Sequence, residues 1–559
     1  MVATYTYDTA LIKAEWKKGK SYRTIAKELG CSRDTVRRHV LMDLPLETPV
    51  PYNDQELINR EPIIDGTLFG HMPKSMNFPD EGRIATYILS SCQNNTHIHE
   101  GLFNNLKSYA NFLGAKILIS RFTYKKEVYG KKSVKPGYEP TAEDSEDLWY
   151  DERILGYCDD KEDIYLAPSL LWHARANTLP TESQPLNRYR NWTNAKTSCI
   201  IPHPRVAMES VAVSEGMNPK FLYTTGCVSL KNYIAKKTGI LAERHHSYGA
   251  LIVEVDCKGN WWARQIIANE NGEFQDLNYV VKEGRVRTDC VFNIAWGDIH
   301  AIELSSEIID VCWLDENSIL ETLCPFDQYF HDFYSMQSQN HHEVFSLKRY
   351  EKFLGQKWNI EEELDKSFEI LSKIADSSTL TYIVRSNHDE ALEKWLNTTN
   401  IQTNISNMSL YYKAYAAYIA HMESGNPKPF NTLEWAYNNL NDHKDLNQTI
   451  KFLSSADSVL TCGIEHAWHG HRGPHGRRGQ VGDFRRIGAQ ATIGHFHTAG
   501  IYDGLYVVGC LGDPDYAEGT GPRAWSKSLV VLYSTGQRAI ITLTKNCYGK
   551  WDWRGRDGL

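Results

Sequence analysis

The sequence predicts an α/β protein in three parts: an N-terminal helix-turn-helix, a mixed α/β middle domain and a layered α/β domain at the C-terminus. Three observations predict it. After Val291, apolar runs that end in ligand-type residues alternate with helical stretches. Over 84–120, strand, helix and strand periodicities follow one another. Ahead of both lies a short basic stretch with helical spacing, broken at Gly30. The 559 residues accommodate three or four units at roughly 150 residues each. A composition of 42% hydrophobic and 23% charged residues is that of a globular chain and excludes disordered or collagen-like classes. No apolar run is long enough for a membrane-spanning helix. The N-terminal MVATYTYDTALIKAEWKKGK lacks the apolar core of a secretory signal, so the expected location is the cytoplasm.

Residues 1–45 form a basic unit. Positions 1–40 carry nine Lys/Arg against four Asp/Glu, although the whole chain has a net charge of -8. In SYRTIAKELGCSRDTVRRHV, Ile25, Ala26, Leu29, Val36 and Val40 fall at helical spacing around Gly30-Cys31-Ser32. Ala26 lets two helices approach, Gly30 marks the turn, and the Ser32 hydroxyl can accept from the first turn of the next helix. The second helix of this helix-turn-helix would expose Arg33, Thr35, Arg37 and Arg38 to DNA phosphates or base edges. A helical hairpin that binds no nucleic acid has the same pattern. Residues 46–80, rich in Pro, Asn and Asp, read as a linker or arm.

Residues 81–287 read as the mixed α/β domain, with no role assigned. IATYILSS is a strand, HEGLFNNLKSYANFLG a helix with Gly114 as its C-cap, and AKILIS a second strand, together a βαβ unit. YGALIVEVD and NWWARQII are further strands. The acidic stretch 141–163, with ten Asp/Glu against two Lys/Arg, reads as a solvated loop. His97, His99 and Glu100 read as a helix cap or interface rather than a site. His245 and His246 receive no chemistry.

Residues 288–559 form the layered domain. FNIAWGD, QYFHD, LTYIVRSNHD, VLTCGIEHAWHGH and AQATIGHFH each end a strand in polar residues, which is where α/β folds build sites. SSEIIDVCWLDENSILETL, EEELDKSFEILSKIA and EALEKWLN read as the intervening helices. GLYVVGCLG, SLVVLYSTG and RAIITLTK add strands.

Those strand ends define the candidate site. Residues at i and i+2 point the same way as a strand ends, so Asp298 with His300 and His495 with His497 can each grip a metal. Asp332 is placed to bridge two cations, with Asp327 as the alternative. Asn387 and His469 supply the remaining amide and imidazole. Mixed nitrogen and oxygen donors suit Mn, Fe or Zn better than Mg or Ca. The expected cofactor is therefore two divalent ions, Mn foremost and Mg, Fe or Zn as alternatives. The 12 Cys include no C-x-x-C pair and read as reduced, mostly buried thiols rather than zinc sites. The Gly- and Arg-rich stretch 465–486 brings Arg477 and Arg478 into a loop that could lie along a phosphate backbone, or pair with the chain's own acids.

At these residues the sequence resembles the calcineurin-like metallophosphoesterase family, which includes the Mre-eleven-type nucleases. The motifs are Asp298-x-His300, His331-Asp332, Ser386-Asn387-His388-Asp389, His469 and Gly494-His495-x-His497. His331 and Ser386 stand where the family has Gly, and Ser335 stands where it has a second acid. The resemblance implies a metallophosphoesterase sandwich over about 290–559 and a catalytic His388 that is not a ligand. His388 would sit beside the phosphate and stabilise charge or protonate the leaving group. Asp389 would orient the His388 imidazole, or else cap the helix EALEKWLN. Over the whole chain, SSCQNNTHIHEG, IIPHPR and HGHRGPHGRRG resemble a group of phage-encoded metallophosphatase-type proteins, among them pre-early DNases of coliphages that inject their genome in two steps. That resemblance implies early degradation of host DNA in the host cytoplasm.

The function expected is metal-dependent hydrolysis of DNA: two cations clamp a phosphodiester and activate a water for in-line attack on phosphorus. The competing readings are a small-molecule or protein phosphoesterase with an accessory DNA-binding unit, and a DNA-binding regulator. Expected partners are DNA and further copies of the chain, with no membrane.

Overall fold

The computed structural model describes residues 9–18, 20–31, 33, 36, 63–64, 74–124, 148–214, 217–340, 347, 350, 354–355, 359–375, 378–441, 449–514 and 521–555. The chain opens with two helices, α1 (Thr9–Lys17) and α2 (Tyr22–Leu29). Ser21 caps α2, its hydroxyl accepting from the Thr24 N–H at 3.1 Å. Gly30 ends α2 in the left-handed region at φ +61°, where a side chain would be strained. Ile12, Ile25, Ala26 and Val36 form the small core of this unit. Beyond the turn, only Arg33 and Val36 of the expected second helix are described; Thr35, Arg37 and Arg38 lie outside the described residues.

The βαβ unit is as expected. β1 (Ala85–Gln93) runs parallel to β2 (Lys116–Phe122), and α3 (Glu100–Leu113) crosses between them. Leu102, Phe103, Leu106, Tyr109, Ala110 and Leu113 make one buried face of α3, and Gly114 closes it at φ +62°. His99 is its N-cap, with Nδ1 accepting from the Leu102 N–H at 3.2 Å. Next come β3 (Ile164–Ala167), β4 (Leu170–Trp172), β5 (Ser198–Ile201), β6 (Met208–Val211), β7 (Lys220–Thr224), helix α4 (Lys237–His245), β8 (Gly249–Val255) and β9 (Trp261–Ile267). The order β9-β8-β1-β2 makes a four-stranded sheet.

The C-terminal half contributes β10 (Asn293–Ala295), β11 (Asp327–Phe330), α5 (Ile360–Ile374), β12 (Leu380–Ile383), α6 (Ala391–Thr398), α7 (Met408–Glu423), α8 (Thr432–Leu440) and β13 (Ile450–Phe452). It continues with β14 (Leu460–Thr461), β15 (Ile464–Glu465), α9 (Val481–Ile487), β16 (Gln490–Ile493), β17 (Gly500–Tyr502), β18 (Leu505–Val507), β19 (Ser528–Leu532) and β20 (Arg538–Thr542). A six-stranded sheet has the order β13-β12-β11-β10-β19-β20; the first four strands are parallel and the last two antiparallel.

Alternation places this sheet between two cores. Ile294, Trp296, Phe330 and Val531 face α5, α6 and α8 through Leu364, Phe368, Trp395 and Leu433. Ala295, Tyr329, Val530 and Ile540 face the other way, and they pack with Leu89 and Leu251 of the four-stranded sheet and Leu170 and Tyr223 of a third. That third sheet has twelve strands. Beyond the short pairings at Ile63–Ile64 and Lys74–Ser75, its order is β3-β4-β5-β7-β6-β17-β18-β16-β15-β14. The molecule is thus a layered, mixed α/β fold. The β6–β17 pairing (Met208 with Ile501, Glu209 with Gly500) carries one sheet across position 287, so residues 81–287 and 288–559 share a hydrogen-bonded layer.

Two sequence expectations change. The helix read over SSEIIDVCWLDENSILETL is broken into Ser306–Ile309, a π-turn at Asp310–Leu314, and Ile319–Leu323. The break follows from Ser318, whose hydroxyl caps a new helix at the Glu321 N–H. The described part of 141–163 is not simply solvated: Asp151 is buried, Asp160 pairs with Arg121 at 2.6 Å, and Asp163 with His173 at 2.7 Å. Among the described residues, no helix is long and apolar enough to cross a membrane.

Candidate metal centre

Strands β10, β11, β12 and β16 all end on one side of the fold. Just past those ends lie Asp298 and His300, His331 and Asp332, Asn387 and His388, and His495 and His497; His469 follows β15. Backbone bonds continue beyond the strands and tie the loops together: Ile299 N–H to His331 O (2.8 Å), His300 N–H to Asp332 O (2.8 Å) and Gly494 N–H to His469 O (2.8 Å). His300, Asp332, His495 and His497 all have positive φ, between +43° and +75°. A non-glycine residue held there costs about 1–3 kcal/mol, and such strain concentrates where side chains must be aimed. Gly494 must be glycine, since a Cβ there would stand 2.3 Å from Asp298 Oδ1.

The donors converge in two groups that share Asp332. On one side, Asp298 Oδ2 lies 3.2 Å from His497 Nε2, His300 Nε2 lies 3.3 Å from His497 Nε2, and Asp332 Oδ2 lies 3.9 Å from His300 Nε2. On the other, Asp332 Oδ1 lies 3.3 Å from His469 Nε2, which is 3.1 Å from Asn387 Oδ1. His495 completes this second group. Two donors on one tetrahedral ion stand about 3.4 Å apart when each bond is about 2.1 Å, so these spacings fit the edges of a coordination shell. Asp332 Oδ1 and His331 Nε2 are buried and lack hydrogen-bond partners of good geometry. Asp332 lies between the two groups, one oxygen toward each. Asp327, the alternative, starts β11 at the opposite end of the strand.

Electrostatics favour the ligand forms of the imidazoles. Burial pushes His331, His495 and His497 down to about 4, and His300 and His469 well below the usual range. All five are therefore neutral near pH 7, as ligation requires. Burial and the Asp332 charge push Asp298 well up. Burial also raises Asp332, but the His469 and His388 imidazoles outweigh it and hold that carboxyl well below the ordinary value.

His388 adjoins the first group, its ring 5.0 Å from that of His300. Its Nδ1–H donates to the Ser335 carbonyl at 2.9 Å, which fixes the plane of the ring. Asp389 does neither of the jobs expected of it. Its carboxylate accepts from the Ser386 N–H (3.1 Å), the Ser386 hydroxyl (2.8 Å) and the Tyr334 N–H (3.2 Å). It pins the 386–389 turn to the segment after β11; the Ser335 carbonyl orients His388, and the N-cap of α6 is Glu390.

The expected DNA contacts fare unevenly. Arg33 is 4% exposed and its guanidinium donates to Thr379 Oγ1 at 3.0 Å, so it packs against the C-terminal half instead of facing solvent. Arg477 is bound by Asp483, while Arg478 is exposed and close enough to His495 to oppose its protonation.

Three residues at the site have no ligand role in the sequence reading, although two of them, His331 and His471, fall within its motif segments. His331 lies 3.4 Å from His469, Nδ1 to Nδ1. His471 sits with its ring 5.4 Å from that of His469. Cys510 shares a cluster with His300 and His497. His471 is the i+2 partner of His469, and Cys510 follows an apolar run, so the rules used for the other strand ends would have found both.

A layered α/β protein with a buried Asp/His/Asn cluster of metal-ligand spacing is the class that fold and site define. Protein A1 of Escherichia phage T5 is 33% identical over 469 residues, 81% of this chain and 81% of that protein. The chain belongs to the family of that phage protein. No family model matches the sequence, and no solved structure matches it.

Proposed function

We propose that the protein is a metal-dependent DNase of the calcineurin-like metallophosphoesterase type, acting on host DNA early in phage infection. The observation that carries the reading is Asp332, whose two carboxylate oxygens face two separate donor groups. A carboxylate so placed would serve both of two cations. Asp298, His300, Asp332 and His497 would hold one; Asp332, Asn387, His469 and His495 the other. Two such ions supply charge neutralisation at a phosphodiester and activation of a water. His388, fixed by the Ser335 carbonyl, presents Nε2 to the phosphate and stabilises charge or returns a proton to the leaving oxygen. Arg478 extends the positive field from the site along the outgoing backbone. The excess of imidazole over carboxylate favours Mn over Mg.

The test is incubation of purified protein with plasmid and with linear DNA in Mn, Mg or EDTA. Cleavage should be fastest with Mn and absent with EDTA. Equal rates with Mg alone, after other metals are stripped, would count against the site as drawn. A second reading, a phosphoesterase for small substrates, is favoured by Arg33 being buried against Thr379 and Arg477 being paired with Asp483. Hydrolysis of a small phosphodiester with DNA left intact would select it.

A further inference from the structure

Cys510 follows β18 and pairs as a parallel bridge with Asp298, and the Leu511 N–H donates to the Asp298 carbonyl at 2.9 Å. It is 2% exposed. Its sulfur and one ring nitrogen each of His300 and His497 lie within 4.8 Å of one another, and all three residues are buried. A thiolate and an imidazole on one tetrahedral zinc ion stand about 3.6 Å apart, given bonds of about 2.3 and 2.1 Å, so side-chain shifts of about an ångström would bring all three to one ion. The loop around Cys510 is packed tightly onto the site: a Cβ on Gly512 would stand 2.9 Å from the His300 Cβ. Buried cysteines are often inert packing groups. Here the thiol donates to the Gly512 carbonyl at 3.3 Å while its sulfur adjoins the converging imidazoles of His300 and His497, the latter 3.2 Å from Asp298 Oδ2.

We propose that Cys510 is a sulfur ligand for an ion that Asp298, His300 and His497 would hold, and that the two ion positions therefore differ in their preference for zinc. The proposal rests on the dinuclear reading above. The second group, Asp332, Asn387, His469 and His495, offers only nitrogen and oxygen. A thiolate selects Zn or Fe(II) over Mg and Mn, whereas the nitrogen and oxygen set accepts Mn. The thiol proton passes to solvent as the metal binds. The position beside Cys510 would then prefer Zn or Fe(II) over Mn more strongly than the position beside Asn387.

The test is X-ray absorption of the full-length protein loaded with two zinc ions. A sulfur shell at about 2.3 Å is expected beside nitrogen and oxygen at about 2.0–2.1 Å. In Cys510→Ser and Cys510→Ala, with folding checked by circular dichroism, the sulfur shell should vanish while zinc remains bound. In competition of Zn against excess Mn, one of the two positions in the parent protein should hold Zn more tightly than the other, and that excess preference should fall at least tenfold in the variants. Two bound zincs with only nitrogen and oxygen neighbours in the parent overturn the role of Cys510 and leave the dinuclear reading standing. A sulfur shell that persists in both variants overturns it equally. Failure of the parent to retain zinc or manganese overturns both readings.

Discussion

His388 and His300 lie side by side, yet they should fail differently when removed. His300 Nε2 points into the donor group at 3.3 Å from His497 Nε2, whereas His388, with one ring nitrogen within 4.8 Å of donors on His300 and Asp332, has its Nδ1 held by the Ser335 carbonyl. His388→Ala should keep both metals and cleave DNA about 10²–10⁴-fold more slowly, the usual cost of a lost proton donor. His300→Ala and His495→Ala should lose metal together with activity. Elemental analysis and cleavage on the same preparations decide it; loss of metal from His388→Ala equal to that from His300→Ala makes His388 a ligand. Away from the site, burial lowers His203 to about 4. Its neutral ring accepts from the Arg205 N–H at 3.0 Å and donates to the Leu179 carbonyl at 3.2 Å. The folded value lies below the unfolded one of about 6.5, so this stability is complete above pH 6.5 and drains as pH falls toward 4. Between pH 7 and 5 the loss is about 2 kcal/mol for one such group. His203→Gln should be less stable at pH 7 but show a drop smaller by that amount in urea unfolding. An unchanged drop would mean that His203 titrates normally. The donors themselves were legible because i, i+2 spacing at strand ends is a chemical signature. The left-handed backbone at Asp332 and His497 was not, because nothing in those residue types announces it. Asp389 misled because Ser386, beside it in space, captures its carboxylate.

At the scale of elements, α3 and α5 were readable because their buried residues recur at helical spacing and their caps are local. The 306–323 stretch was not, because burial of Cys312 and Trp313 continues through a π-turn that periodicity cannot distinguish from a helix. The turn between β16 and the His495–His497 pair shows how an element aims a site. Gly494 lets the chain pass Asp298 so closely that the His495 N–H donates to Asp298 Oδ2 at 2.9 Å. Gly494→Ala places a methyl 2.3 Å from Asp298 Oδ1 and 2.9 Å from the His331 Cβ. The shift this forces should lower metal affinity at least tenfold while the distant sheets stay intact; unchanged affinity by calorimetric titration would mean that the turn is loose. The loop before α9 makes a second contrast. Arg477 is bound to Asp483 in the first turn of α9, whereas Arg478 is exposed beside His495. Arg478→Ala should weaken DNA binding and lower the slope of log affinity against log salt by about one. Arg477→Ala should leave the slope alone and cost about 1 kcal/mol of stability, as partial loss of an exposed ion pair does. The reverse pattern would show that Arg477 leaves Asp483 to meet phosphate.

Across the whole molecule, the sequence suggested separate units where the structure has shared layers. Strand pairing between distant segments has no local signal, so a division near position 287 looked natural. In fact β6 hydrogen-bonds to β17, and the Ile540 N–H of β20 donates to the Gln265 side chain of β9 at 3.0 Å. The core between the sheets draws on both halves, Leu89 and Leu251 from one, Tyr329 and Ile540 from the other. The N-terminal helices join the same body through the Arg23 N–H on Glu321 at 3.0 Å and Arg33 on Thr379. Deleting residues 1–45 should therefore weaken DNA binding and flatten its salt dependence, leave hydrolysis of a small phosphodiester intact, and also lower the melting temperature by a few degrees. Unchanged DNA affinity at every salt concentration would make this unit a structural buttress alone. The larger consequence concerns 81–287 and 288–559. A fragment starting at 288 exposes the β17 edge and the apolar faces of Val530 and Ile540, a surface that invites aggregation. Expressed alone it should be insoluble or unfolded; co-expressed with 1–287 it should assemble into a metal-binding complex. In the intact chain, the segments should unfold in one calorimetric transition, because breaking either uncovers the core of the other. A soluble, folded 288–559 fragment that binds two metals unaided, or two transitions separated by more than about 10 °C in the intact protein, would show that the shared sheet contributes little and that the halves are independent after all.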